Sequence, residues 1–298
     1  MPESACDGYR YSPGELAVFV SASRGPAAGP LQWFAGRPRI SFPVRLLASL
    51  TGYGITIAVI AWSLANRGLA PDLAIWNRVG DQVRSGISPY GQDLPYNALF
   101  FYSPPWALAF GAVSWLPTAL QALLVFALEV ASLRYVAGSW LRVGYFGLCF
   151  VTGGELANGS FNLFLAASVL LAVRGDPWLA VIGALAKVSP ALAIRQWRRA
   201  GLVLLACVLA TLPVAGWWVD WVHQLQFAST LDIGFAIPEF IRLPLAIALM
   251  ALWRSPRARI LAAAIAVPSL VIYSVVLLYP LFATGLGPDA GPTARQAR

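Results

Sequence analysis

Apolar residues run through this chain in long stretches, separated by short polar or basic ones. The first stretch, about Pro43–Leu64, approaches the roughly 20 residues that cross a bilayer. Arg37, Arg39 and Arg45 stand around its start. A long polar-rich interruption then runs from Pro71 to Trp106. Within it Leu73, Trp76, Val79 and Val83 recur at helical spacing, which predicts an amphipathic helix lying in the membrane interface. Asp72 is placed to cap that helix and Gly86 to end it. The next run, Pro104–Val136, is too long for one straight crossing and is broken at Pro117. A crossing is expected near Val143–Thr152, then a small polar turn, GGELANGSFN, and a return over Leu163–Val173. Trp178–Trp197 carries arginines at both ends and reads as a re-entrant hairpin folded at Lys187–Pro190. Further crossings are expected near Leu202–Trp218, Phe240–Trp253 and Ile260–Phe282. The pattern gives an all-α, polytopic transmembrane helix bundle of about seven to nine membrane helices.

Composition agrees with this pattern. Of 298 residues, 58% are hydrophobic and 11% charged, against about 25% charged in a soluble domain. The net charge of +8 does not point to nucleic acid, because the positive residues sit in short clusters between apolar runs rather than on one polar face. Nine arginines (Arg134, Arg142, Arg174, Arg195, Arg198, Arg199, Arg254, Arg257 and Arg259) and one acid, Asp176, fall in the loops assigned to the inner side. The outer loops hold seven acids (Asp72, Asp81, Asp93, Glu155, Asp220, Asp232 and Glu239) against Arg67, Arg78, Arg84 and Arg242. The polar loop of Pro71–Trp106 therefore belongs on the extracytoplasmic face. Residues 1–43 lack the layout of a signal peptide and read as a flexible cytoplasmic arm. The membrane domain is 44–284, and 285–298 is a flexible tail. Cys6, Cys149 and Cys207 have no CxxC spacing, and the one histidine, His223, excludes a multi-histidine metal centre. No metal or cofactor is expected.

Few residues are left to carry chemistry. Asp72 has two compatible readings, a helix cap and a general base at the membrane surface that takes a proton from a hydroxyl. Asp81 follows nine residues later, half a turn out of phase, so a continuous helix cannot point both acids into one site. Lys187 is the only lysine in the chain and lies in an apolar run, GALAKVSPAL. A cation there is costly, and the alternatives are a functional group suited to a lipid-linked phosphate or a snorkelling helix end. Tyr90, Tyr96 and Tyr102, with Trp106, make either a sugar-stacking surface or an interfacial aromatic belt. Asn158 and Asn162 offer amides to sugar hydroxyls. Glu129, within LVFALEVASL, either pairs with a basic neighbour or marks a polar cavity.

Asp72-x-x-x-Trp76, then Gly86-Ile-Ser-Pro89-Tyr90, then Tyr102-Ser-Pro104-Pro105 resembles the integral-membrane GT-C glycosyltransferases. Among them the family 87 group of bacterial polyprenol-phosphate-mannose-dependent mannosyltransferases is the nearest likeness. Asn158-Gly159-Ser160-Phe161-Asn162 is similar to that family's N-G-Q-x-N turn, and Ala186-Lys187-Val188-Ser189-Pro190 to its K-x-x-P element. The likeness covers roughly residues 44–220. Ser160 departs from it, standing where the family has glutamine, and the C-terminal part is short, which implies a reduced acceptor site. The resemblance implies a GT-C-like bundle in a bacterial inner membrane, with its interface helix and active site on the extracytoplasmic side. It implies inverting transfer of a hexose, mannose above all, from a polyprenyl-phosphate donor to a lipid or glycan hydroxyl. Asp72 would be the base; Lys187, Arg78 and Arg84 would hold the donor phosphate. Asp81, Tyr90, Tyr102, Asn158 and Asn162 would bind substrate. The competing readings are a transporter or lipid-handling protein without chemistry and an inactive, shortened relative.

Overall fold

A computed structural model describes residues 41–68, 70–91, 94, 95, 99–225, 239–252, 255–267, 272–283 and 286. Residues 1–40 of the expected N-terminal arm and most of the expected tail lie outside these residues, as do Asp93, Tyr96 and Asp232. A first unit, Met1–Phe42, is described only at its last two residues; the second, Pro43–Arg298, carries everything below.

Among the described residues the second unit is helical and contains no strand. In chain order it comprises α1 (Phe42–Arg67), α2 (Asp72–Arg84), α3 (Pro104–Val113), α4 (Thr118–Ala137), α5 (Trp140–Gly147), α6 (Phe150–Asn158), α7 (Asn162–Arg174) and α8 (Pro177–Ala186). A 3-10 turn, Ser189–Ala193, leads to α9 (Trp197–Ala210), α10 (Gly216–Leu225), α11 (Glu239–Leu252), α12 (Pro256–Ile265) and a final 3-10 helix, Ile272–Phe282. Two of these, α1 and α4, are long and apolar enough to cross a bilayer; α6 and α7 reach that length and hydropathy only as a pair bent by 107°, the form of a broken span or a re-entrant loop.

The first crossing falls where the hydropathy places it, and Pro117 separates α3 from α4 as expected. The break at Lys187–Pro190 is also present: α8 stops at Ala186, and Lys187 is extended, with φ −143° and ψ 132°. Three expected crossings are each broken in two. Val143–Thr152 divides at Leu148–Cys149, where the Phe146 carbonyl accepts from Cys149 N–H at 3.1 Å and from the Thr152 hydroxyl at 2.6 Å. Leu202–Trp218 divides where Pro213, lacking an N–H, turns the chain through Leu212–Val214. The third, Ile260–Phe282, divides after Ile265.

α7 lies at the centre. Nearly all its residues from Asn162 to Val173 are buried, and α4, α8, α12 and the final 3-10 helix pack around it. A second core is aromatic: Trp76 stacks on Phe110 and Phe161 at 5.1 and 4.5 Å, fixing α2 and α3 against the start of α7. Leu73, Trp76 and Val79 form the buried stripe of α2 that their spacing predicts. α2 ends in a Schellman motif, with Ile87 N–H donating to Gln82 O at 2.9 Å and Gly86 N–H to Val83 O at 3.0 Å. Gly86 takes the left-handed φ of +73° that this ending requires.

α1 meets α5 and α6 through small residues. A Cβ on Gly52 would stand 1.7 Å from the Gly144 carbonyl oxygen, and one on Gly144 would stand 2.1 Å from Ser49 Oγ. Backbones this close are the usual device for joining helices in lipid, where apolar burial between helices contributes little. By contrast, Gly54 has nothing within 4 Å of its Cβ position. Gly52→Val is therefore expected to lower the melting temperature of the detergent-purified protein, by the equivalent of about 1–3 kcal/mol or more. Gly54→Val, two residues away, should leave it unchanged; equal effects at both positions would contradict this packing.

Candidate functional site

The site is built where α7 begins inside the protein. α6 ends at Asn158, the chain reverses at Gly159 (φ +72°), and α7 starts at Asn162. A Cβ on Gly159 would meet the Ala70 side chain at 2.8 Å. A helix start leaves amide hydrogens without helical partners, and inside a protein no water is at hand to satisfy them. Phe161, the residue before α7, has no capping side chain. The carboxylate of Glu129, from the middle of α4, does the work instead. It accepts from Leu163 N–H at 3.0 Å and Phe164 N–H at 3.1 Å, the two positions a local cap would serve. Glu129 is fully buried, and its carboxyl group sits at the start of α7.

Glu155 is the second buried carboxylate, on the last turn of α6. Ser160 Oγ donates to one of its oxygens, and Asn162 Nδ2 lies 3.0 Å from both. The other end of that amide, Asn162 Oδ1, accepts from Lys187 Nζ at 2.9 Å. Lys187 is half-buried at the end of α8. Two bonds tie the entry to α3 to this corner: Ser103 N–H donates to Leu185 O at 3.1 Å, and Trp106 Nε1 to Ile182 O at 3.0 Å.

Asp72 completes the cluster from α2. It is the first residue of the helix rather than the residue before it, and its side chain makes no capping bond, which corrects the capping role expected of it. Ala70 just ahead has φ +44°, a left-handed conformation uncommon outside glycine, and it precedes a proline. The half-buried Asp72 carboxyl is pushed up from 3.8 to about 6 by desolvation, which the positive charge of Lys187 opposes. Lys187 in turn feels the charges of Glu155, Asp72 and Glu129, three acids from three elements near enough to act on one ammonium. Tyr102 borders the same three acids, its ring against Trp106, Phe110 and Phe161.

Of the residues singled out in the sequence, the structure thus brings together Asp72, Asn162, Lys187 and Tyr102. It does not bring in the others. Asp81 and Arg84 pair with each other at 2.5 Å on the exposed face of α2, and Arg78 is exposed on that helix. Both placements run against a shared substrate site, because the buried face of α2 belongs to Leu73, Trp76 and Val79. Tyr90 is buried, not displayed, and its hydroxyl is committed to the Tyr102 carbonyl at 2.8 Å. Asn158 is buried at the end of α6. Glu155 is no loop acid: it lies within α6 and is 0% exposed. Its role, and that of Ser160, went unread in the sequence. The available signal was an acid five and seven residues ahead of a serine and an asparagine across a glycine turn. Among the described residues no group of three or more His, Cys, Asp or Glu side chains is arranged to hold a metal ion.

Two apolar hollows flank the cluster. One of about 660 Å³ lies between α2, α3 and α4, lined by Leu73, Trp76, Phe110, Leu124 and Phe161. The other, about 720 Å³, lies between α8, α9 and α10, and Leu185 and Val188 on either side of Lys187 help line it. Comparison with protein-family models, curated proteins and solved structures gave no match.

Two outcomes follow from these contacts. Glu129→Ala leaves two buried amides unpaired, each costing about 1–3 kcal/mol, whereas Glu129→Gln keeps one acceptor oxygen. The alanine variant should therefore melt well below the glutamine variant; equal melting would remove the capping role. Asp72 gives a pH signature. A carboxyl whose folded value is raised favours the fold only while protonated, so its cost appears as pH rises from 3.8 to about 6 and is constant above. Asp72→Asn is expected to match the wild type in stability near pH 4 and to exceed it at pH 8, by at most about 3 kcal/mol. A variant less stable at pH 8 would contradict a buried, costly carboxylate.

Proposed function

We propose that this chain is a membrane-embedded glycosyltransferase of GT-C type, with about seven to nine membrane helices once its short helices are counted into crossings. It moves a hexose, with mannose the sugar its sequence motifs imply, from a polyprenyl-phosphate carrier to a hydroxyl of a lipid or glycan acceptor. The setting is the extracytoplasmic side of a bacterial inner membrane. One observation carries this reading: Asp72 and Lys187, far apart in the sequence, lie in one polar cluster between two apolar hollows.

The chemistry asks for a base, an anion site and room for a lipid chain. Asp72, at about 6, is largely ionised at neutral pH and close to the range in which a base works best. It takes the proton from the acceptor hydroxyl as that oxygen attacks the anomeric carbon from the face opposite the phosphate. The carbon–oxygen bond to phosphate breaks, the phosphate leaves with the electron pair, and the configuration inverts. Lys187 spends one of its N–H donors on Asn162 and keeps the others for the departing phosphate, where a compact ammonium stabilises the developing charge. With Asp81 and Arg84 engaged with each other and Arg78 on the exposed side of α2, the phosphate falls to Lys187 alone. The left-handed Ala70 beside Asp72 fits as well, since backbone strain collects at functional sites.

The test is a kinetic split in nanodiscs with a polyprenyl-phosphate sugar as donor. Asp72→Asn should lower kcat by about 10²–10⁴-fold with insertion unchanged, and Lys187→Gln should raise the KM for the donor. A well-inserted Asp72→Asn protein transferring at the wild-type rate would take the base away from this reading.

A further inference from the structure

The reaction proposed above uses Asp72 and Lys187 and leaves a buried carboxylate, Glu155, without a part. Neither of its neighbours explains it as a structural cap. Glu129 already serves the start of α7, and Glu155 faces side chains only. Its contacts are directional. An amide has a donor end and an acceptor end. Because both oxygens of Glu155 draw the Asn162 nitrogen at 3.0 Å, the Asn162 oxygen is turned toward Lys187 Nζ, 2.9 Å away. A glutamine at 155 would offer a donor of its own and remove this bias. Ser160, donating to the same carboxylate, keeps Glu155 in place.

Charge points the same way. The groups facing Lys187 are Glu155 from α6, Asp72 from α2 and Glu129 from α4, and Glu155 acts on it most strongly. Glu129 is engaged by the backbone of α7, and the half-buried Asp72 lies on a separate helix, α2. Of the three, Glu155 is the one joined to Lys187 through the Asn162 amide. We propose that Glu155 is a positioning residue for Lys187. Through Asn162 it orients the ammonium and keeps it charged, so that the free N–H groups of Lys187 present a ready site for the phosphate of a lipid-linked donor. This rests on the reading of Lys187 as the anion-binding group; Glu155 itself touches no substrate.

Because Lys187 is the only lysine in the chain, amine-directed labelling reports on one side chain and needs no substrate. The full-length protein in nanodiscs is exposed briefly to acetic anhydride across a pH series, and the Lys187 peptide is quantified by mass spectrometry. Glu155→Gln should raise labelling at about pH 8 by about tenfold, the change in free amine for one pH unit. Glu155→Asp, which keeps the charge, should stay near the wild type. In the transfer assay Glu155→Gln should raise donor KM more than it lowers kcat. A folded Glu155→Gln protein with the wild-type labelling profile overturns the proposal. Where Glu155→Gln does not fold, Asn162→Ser cuts the link while sparing the carboxylate; increased labelling supports the proposal, and an unchanged profile overturns it. Labelling that shifts in a protein that transfers no sugar leaves the positioning role standing and removes the transferase reading. Transfer with unshifted labelling does the reverse.

Discussion

A helix that starts in the middle of a protein is the constraint from which the rest of this structure follows. The first amides of α7 open into the packed interior, where leaving them unpaired would cost several kilocalories per mole. The carboxylate of Glu129 meets them, and from that point charge has to be balanced by charge. Glu155 is satisfied by Ser160 and Asn162, and Asn162 passes its oxygen to Lys187. Removing one member of such a set strands the others, so the stability of the interior and the geometry of the site are the same network.

Interrupted helices make this possible. Gly159 turns α6 into α7, Lys187 interrupts the path from α8, and Ala70–Pro71 opens α2. Each interruption delivers one polar group to a common point, as broken helices do in other membrane proteins where backbone must face a polar cavity. Around that point the walls are rigid. The rings of Trp76, Phe110 and Phe161 stack between α2, α3 and α7, and a Cβ on Gly111 would meet Val83 Cγ1 at 2.5 Å. Two apolar hollows lie beside the cluster.

Much of this was legible in the sequence, and the boundary is physical. The length of an apolar run found α1 and periodicity the buried stripe of α2; Pro117 and Lys187–Pro190 announced their breaks; rarity drew attention to Lys187. Hydropathy could not see that apolar runs such as Val143–Thr152 divide, because the Cys149 N–H and the Thr152 hydroxyl meeting on the Phe146 carbonyl leave the apolar pattern unchanged. Glu129 was noticed as a buried acid, but its partners are backbone amides of α7, which carry no residue identity for a sequence to reveal. Glu155 was assigned to the polar turn GGELANGSFN, yet it lies within α6, where Gly153 lets the helix pack closely. A Cβ on Gly153 would lie 2.8 Å from Val59. Tyr90 and Asp81 share a lesson: composition names residues fit to bind sugar, and packing shows that these two have partners within the protein.

The most direct test follows the sugar itself. Purified wild-type protein in nanodiscs is supplied with isotopically labelled polyprenyl-phosphate mannose and a panel of lipid and glycan acceptors, and the carrier is analysed by mass spectrometry. The account predicts that free polyprenyl phosphate accumulates while the label appears in a glycosidic bond of inverted configuration. A carrier that keeps its sugar with every acceptor, in a protein shown to be folded, would contradict it.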